Sequence, residues 1–175
     1  MFFQDRLEEW ILLCESILNI NNNIDNVEDY SIRFKHKILW QIISNNVEID
    51  INLLEVYIDR PWNWNDLSKN TSIKLEMLQK FPNKQWNWRE ISRNPNITVD
   101  MIEEFPQKGW DWKLICESSN LSNQILQAID RKLLDFAVLS RNPVLNVNML
   151  QLYPDGEWDW DAISSNSCVT EDMLL

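Results

Sequence analysis

Hydrophobic positions in this chain recur in short bursts with a period of 24 residues, not as one long helical stripe. Trp62-Asn63-Trp64, Trp86-Asn87-Trp88, Trp110-Asp111-Trp112 and Trp158-Asp159-Trp160 stand 24, 24 and 48 residues apart. Leu134-Asp135-Phe136 fills the missing step, and Ile38-Leu39-Trp40 lies one step upstream. A fixed period of this size marks a stack of small units, none of which can bury its apolar face alone.

Each unit reads as two short helices. The middle residue of the triplet (Asn63, Asn87, Asp111, Asp135, Asp159) is a helix N-cap former, because its side-chain oxygen accepts a backbone N–H that the first turn leaves unpaired. The preceding apolar residue then faces Leu67, Ile91, Ile115, Leu139 or Ile163 as a hydrophobic staple, and Glu90 is placed to complete a capping box with Asn87. This first helix meets a Ser-X-Asn motif at Ser44/Asn46, Ser68/Asn70, Ser92/Asn94, Ser140/Asn142 and Ser164/Asn166. Asn tolerates the left-handed conformation that closes helices, so a left-handed closure is expected there, with Pro95 and Pro143 forbidding continuation.

A second start signal follows in the column Asp50, Lys74, Thr98, Ser122, Asn146 and Thr170. Paired aliphatics come next (Leu53/Leu54, Met77/Leu78, Met101/Ile102, Ile125/Leu126, Met149/Leu150, Met173/Leu174). One turn later on the same face stands Tyr57, Phe81, Phe105, Ile129 or Tyr153, and Pro82, Pro106 and Pro154 end the helix. The expected fold is all-α: an α-solenoid of about six two-helix repeats starting near 38, 62, 86, 110, 134 and 158, spanning 38–175. Residues 1–37 form a separate N-terminal part. Phe3, Leu7, Ile11, Cys14 and Leu18 predict an amphipathic capping helix, followed by an Asn- and Asp-rich loop from about Ile20 to Asp29. Leu39 replaces the N-cap in the first unit, so its helix is expected to begin near Ser31.

Composition narrows the function classes. Ten Trp and only two Gly leave no Gly-rich phosphate loop. A net charge of -11 argues against wholesale nucleic-acid binding, which needs a cationic surface. No apolar run is long enough for a membrane span, and the first residues lack a signal-peptide pattern. Cys14, Cys116 and Cys168, odd in number and widely spaced, suit reduced thiols in a cytoplasmic compartment.

The segment Ile91-Ser92-Arg93-Asn94-Pro95-Asn96-Ile97-Thr98-Val99-Asp100-Met101-Ile102 resembles leucine-rich variant repeats, which share the 24-residue length, the Asn-Pro turn and the capped helix with paired aliphatics. That resemblance implies a right-handed, HEAT-like solenoid in which α-helices alternate with 3₁₀ turns, so the first helix of each unit is expected to be partly 3₁₀. The Trp-X-Trp element with Asn-Pro-Asn-Ile-Thr and Phe-Pro is also similar to tandem repeats in proteins of giant DNA viruses of amoebae, which implies a virion or host-cytoplasm setting. The likeness covers 38–175, and unit four departs from it: Cys116 replaces Ser, Ser118 replaces Asn, and no Pro follows.

The candidate chemistry is sparse. His36 is the only histidine, and the alternating Asp155, Glu157, Asp159 and Asp161 lack a calcium-loop pattern, so neither catalytic residues nor a metal or cofactor site is expected. The Trp columns interchange with Ile38, Leu134 and Phe136, which reads as packing; an outward-facing column would instead offer a ladder for a glycan. Arg89 and Lys113 share one column, and Lys69, Arg93 and Arg141 another, a basic ridge suited to an acidic partner. Ile51, Leu75, Val99 and Val147 either pack between layers or line a groove. Met173-Leu174-Leu175 has no polar cap, which makes Leu175 a candidate contact for end-to-end self-association. The expected function is a non-enzymatic protein–protein interaction scaffold. End-to-end assembly and glycan binding are the alternatives.

Overall fold

The computed structural model describes residues 9, 11–13, 16, 30–46 and 48–168. Phe3, Leu7, Cys14, Leu18, the 20–29 loop, Thr170 and Leu175 lie outside the described residues. Among those described, every regular element is helical: α1 (Tyr30–Asn46), α2 (Ile51–Val56), α3 (Trp64–Lys69), α4 (Leu75–Lys80), α5 (Trp88–Arg93), α6 (Val99–Glu104), α7 (Trp112–Glu117), α8 (Asn123–Ala128), α9 (Phe136–Arg141), α10 (Val147–Leu152) and α11 (Trp160–Ser164), with a 3₁₀ turn at Arg131–Leu133. The first helices α1, α3, α5, α7, α9 and α11 form one continuous row, each touching the next, while α6, α8 and α10 pack alongside one another in a second row. The chain is an α-solenoid.

Both start signals work as the residue types require. Asn63, Asn87, Asp111, Asp135 and Asp159 each accept the N–H three residues on, at 3.2, 3.2, 3.2, 3.0 and 3.0 Å. Asp50, Thr98, Ser122 and Asn146 cap the second helices in the same way, whereas Lys74 makes no side-chain cap bond. The staple partners Leu67, Ile91, Ile115, Leu139 and Ile163 are all buried, as are both aliphatics of each described pair except the half-buried Leu150. Ile11, at the other end of the chain, is buried in the same core.

Two polar columns bolt the layers together. Ser44, Ser68, Ser92 and Ser140 are completely buried, and each hydroxyl donates to the carbonyl four residues back in its own helix (2.7, 2.6, 2.7 and 2.7 Å). The same oxygen accepts the N-cap N–H of the next unit: Asn63 to Ser44, Asn87 to Ser68, Asp111 to Ser92 and Asp159 to Ser140, at 2.9–3.0 Å. The capping box expected from Glu90 is thereby replaced, since the Asn87 N–H it would take already serves Ser68 across the layers.

The Asn column corrects the sequence reading. Asn70, Asn94 and Asn142 close their helices with φ of -64, -65 and -68° and ψ of 129°, which is extended backbone and not left-handed. Asn is required for its amide. Asn94 donates to Asn70 O (2.8 Å) and Ser68 O (3.4 Å), Asn142 to Cys116 O and Ser118 O, and Asn166 to Ser140 O and Asn142 O. Each side-chain oxygen meanwhile accepts the N–H two residues on, holding its own loop. The residue before Pro is steered to extended backbone in any case, so Pro95 and Pro143 agree with this geometry.

The first helices are α-helical, so the 3₁₀ character implied by the resemblance is not where it was expected. Among the described residues the regular 3₁₀ element is the Arg131–Leu133 turn, and i→i−3 bonds also close the first helices, where Asn70, Asn94 and Asn142 donate their N–H to the residue three back. A six-residue helix has room for few i→i−4 bonds, and the tighter bond frees the last carbonyls for the next layer's amide.

Candidate interaction surface

The aromatic pairs form an interlocked ladder. The first Trp of each pair (Trp62, Trp86, Trp110, Trp158) is buried, and its indole N–H donates to the carbonyl of Tyr57, Phe81, Phe105 or Tyr153 at 2.8–2.9 Å. The second member is half-buried in units two to five, and in units two, three and five it packs edge-to-face on the first Trp of the next unit; Trp112 precedes Leu134 and instead lies tilted against Trp110. Ring centroids lie 4.9 Å apart for Trp64–Trp86 and Trp88–Trp110, and 5.0 Å apart for Phe136–Trp158. Trp40 does the same with Trp62 at 4.8 Å. Lys84 sits over the Trp64 ring and Lys108 over Trp88, at 5.5 and 5.7 Å from the centroids, a favourable cation–π geometry. Those two faces are therefore engaged from within the chain, while Trp160 is exposed. The two lysines belong to a basic column of the same 24-residue period, Arg60, Lys84, Lys108 and Lys132, which the sequence reading passed over.

The candidate basic residues are all exposed, and the structure divides them. Lys69 pairs with Asp66 of its own helix at 3.5 Å. Arg89 reaches Asp111 of the next unit at 3.1 Å, and Arg141 reaches Asp159 at 2.6 Å. These exposed bridges tie N-cap side chains to the preceding layer and are each worth about 0–1 kcal/mol. Arg93, at the end of α5, and Lys113, near the start of α7, carry no ion pair among the described residues. Ile51, Leu75 and Val99 are half-buried against the core and Val147 is half-buried, and a groove of about 590 Å³ is lined by Leu75, Ile97, Lys74 and Asp100 among others.

Unit four breaks the ladder. Ser118 stands in the Asn column, and its hydroxyl accepts Asn120 N–H at 3.1 Å, the same own-loop bond that the Asn94 side-chain oxygen makes with Asn96 N–H. It is half-exposed where Asn94 and Asn142 are buried. Ser118 makes no amide bridge to the preceding layer; Asn120 keeps only the bond of its own column, donating to Pro95 O as Asn96 does to Thr71 O. A cleft of about 380 Å³ opens at this point, lined by Arg93, Pro95, Leu114, Glu117, Ser118 and Asn120.

Comparison with protein-family models, curated proteins and solved structures returned no match.

Cys116 takes the Ser position in the same unit and is completely buried. Burial pushes its thiol above its ordinary value; the Asp135 backbone N–H works the other way, and the carboxylates of Asp135 and Glu117 add to the rise. A thiol so placed is a core group and not a nucleophile at neutral pH. Burial likewise raises the Tyr153 phenol, against the nearby Arg131, and its O–H donates to Leu126 O at 2.8 Å. No group of three or more metal-ligating side chains occurs among the described residues, and no described helix is long and apolar enough to cross a membrane.

Proposed function

We propose that the chain is a non-enzymatic protein–protein interaction scaffold that uses the outer surface of its first-helix row. One observation carries this reading. The polar groups of the repeated columns are spent between layers, while the outward positions differ from unit to unit. The position after the second aromatic is Asn65, Arg89, Lys113, Ala137 or Asp161, and four residues later stands Lys69, Arg93, Glu117, Arg141 or Ser165. A stiff, repetitive interior beneath a varied face is the physical arrangement by which solenoids present extended binding surfaces. Arg93, which shares the unit-four cleft with Glu117, and Lys113 are cations outside any ion pair among the described residues, which favours an acidic partner surface.

The doubly substituted Arg93→Glu/Lys113→Glu chain is expected to keep its helical circular dichroism and melting temperature. Its affinity for a partner captured by the parent chain should fall by about tenfold or more, as loss of two interface cations requires. Equal capture by parent and variant, measured by quantitative pull-down, would place the binding face elsewhere.

A further inference from the structure

Successive units are tied across the first-helix row in four ways. A ring packs edge-to-face on the next unit's Trp, and a serine hydroxyl takes the next N-cap N–H. A side chain bridges to the next N-cap side chain, and an asparagine amide reaches back to the carbonyls of the layer before it. Units two and three have all four: Trp64 on Trp86, Ser68 under Asn87, Asn65 accepting from the Asn87 amide at 2.5 Å, and Asn94 on Ser68 O and Asn70 O. Units five and six have all four through Phe136–Trp158, Ser140, Arg141–Asp159 and Asn166. Units three and four keep three and lack the amide, since Ser118 replaces Asn. Units one and two also keep three, through Trp40–Trp62, Ser44 and Asn70.

Between units four and five only the amide is left. Trp112 meets Leu134 where its counterparts meet a Trp, and its ring contact is with Trp110 of its own unit. Cys116 offers the Asp135 N–H a sulfur, which is a weak acceptor, in place of a hydroxyl. Glu117 holds the column position from which Arg141 reaches Asp159, so the column offers Asp135 a second carboxylate in place of a guanidinium. The far side of the same joint is held. The Asn142 amide donates to Cys116 O and Ser118 O at 2.6 and 3.0 Å, and Tyr153 O–H ties the second helices by donating to Leu126 O at 2.8 Å.

We infer that the joint between units four and five is a hinge, with its axis at the Asn142 and Tyr153 bonds and its opening on the first-helix row. In a linear stack each layer is held by its nearest neighbours alone, so a joint short of ties moves while the others stay packed. As the hinge turns, α7 and α9 part and close, and the spacing of Lys113 and Arg141 across it changes. The interaction face proposed above thereby adjusts its curvature at one place. That consequence rests on the scaffold reading, whereas the motion itself needs no partner.

Nitrogen-15 relaxation dispersion on the free, full chain reads motion on the microsecond-to-millisecond timescale of hinges. The expected result is dispersion at the amides of Trp112, Lys113, Asp135 and Phe136, and none at the corresponding amides of units two and three. Cys116→Ser/Glu117→Arg rebuilds two missing ties with the residues that unit five carries in the same columns, Ser140 and Arg141, and is expected to abolish the dispersion. Serine replaces cysteine at nearly equal volume and Glu117 is exposed. If the double variant fails to fold, Glu117→Arg alone should still reduce the dispersion. A flat profile across the joint in the parent chain overturns the inference. Dispersion of equal size at every joint overturns it too, as does dispersion that the rebuilt joint leaves unchanged. Partner capture by the Arg93→Glu/Lys113→Glu chain tests the scaffold reading separately, so either can fail without the other.

Discussion

Trp86→Ala is expected to destabilise the chain by about 3–5 kcal/mol, the range for deleting a large buried aromatic. Three losses coincide at this position. The ring is only 7% exposed, so its removal leaves a cavity between two layers. The Phe81 carbonyl loses its indole donor, and Trp64 loses the edge-to-face neighbour that covers it. An aromatic pair of this kind contributes about 0.5–1.5 kcal/mol beyond its buried area. Urea unfolding followed by far-ultraviolet circular dichroism measures the effect as a shift of the midpoint. A change below about 1 kcal/mol would remove Trp86 from the core.

Asn94→Ala should cost roughly 2–4 kcal/mol, which is large for so small a side chain. Asn94 is 4% exposed, and its amide serves the carbonyls of Asn70 and Ser68 while its oxygen holds Asn96 N–H. Alanine fills part of the space but removes both inter-layer donors, leaving the Asn70 carbonyl with the Ile73 N–H and the Ser68 carbonyl and Asn96 N–H without their Asn94 partner, and under-satisfied buried groups cost more than a made bond returns. The prediction separates two accounts of the column. Were Asn present only to close a helix, its replacement at a φ of -65° would be nearly free, because any residue adopts that backbone. A loss under about 0.5 kcal/mol would favour that second account.

The division of labour within each unit was legible from single residues. Asn63, Asn87 and Thr98 cap helices because their side chains can do little else at such a place, and the 24-residue spacing of the Trp pairs required a stack. What the sequence concealed were interactions whose two ends lie in different units. Ser68 reads locally as a helix terminator, yet its hydroxyl oxygen accepts a hydrogen bond from the Asn87 N–H, 19 residues away. Asn94 reads as a turn former, yet its amide belongs to the preceding layer. Both residue types favour the local role as well, so nothing in their spacing distinguished the two. The basic ridge failed to appear as a continuous surface for the same reason. Arg89 and Arg141 look free along the chain and meet Asp111 and Asp159 only once the layers are stacked. Ser118 was visible as a departure from the repeat, but a cleft depends on the missing length of its side chain across a layer gap, which the sequence does not express.

The account rests on the layers being joined through the buried serines, and amide hydrogen exchange reads that joint directly. An N-cap N–H has no partner within its own helix and ordinarily exchanges quickly. In an exchange experiment on the nitrogen-15-labelled chain, the amides of Asn87, Asp111 and Asp159, each bonded to a serine of the preceding unit, should be slowed on the order of a thousandfold or more, in step with the core helices. Asp135, which faces the Cys116 sulfur instead of a hydroxyl, should be slowed less. Exchange of those three amides at the rate of an unstructured peptide, beside protected helix interiors, would contradict the inter-layer bonding on which the whole stack is built.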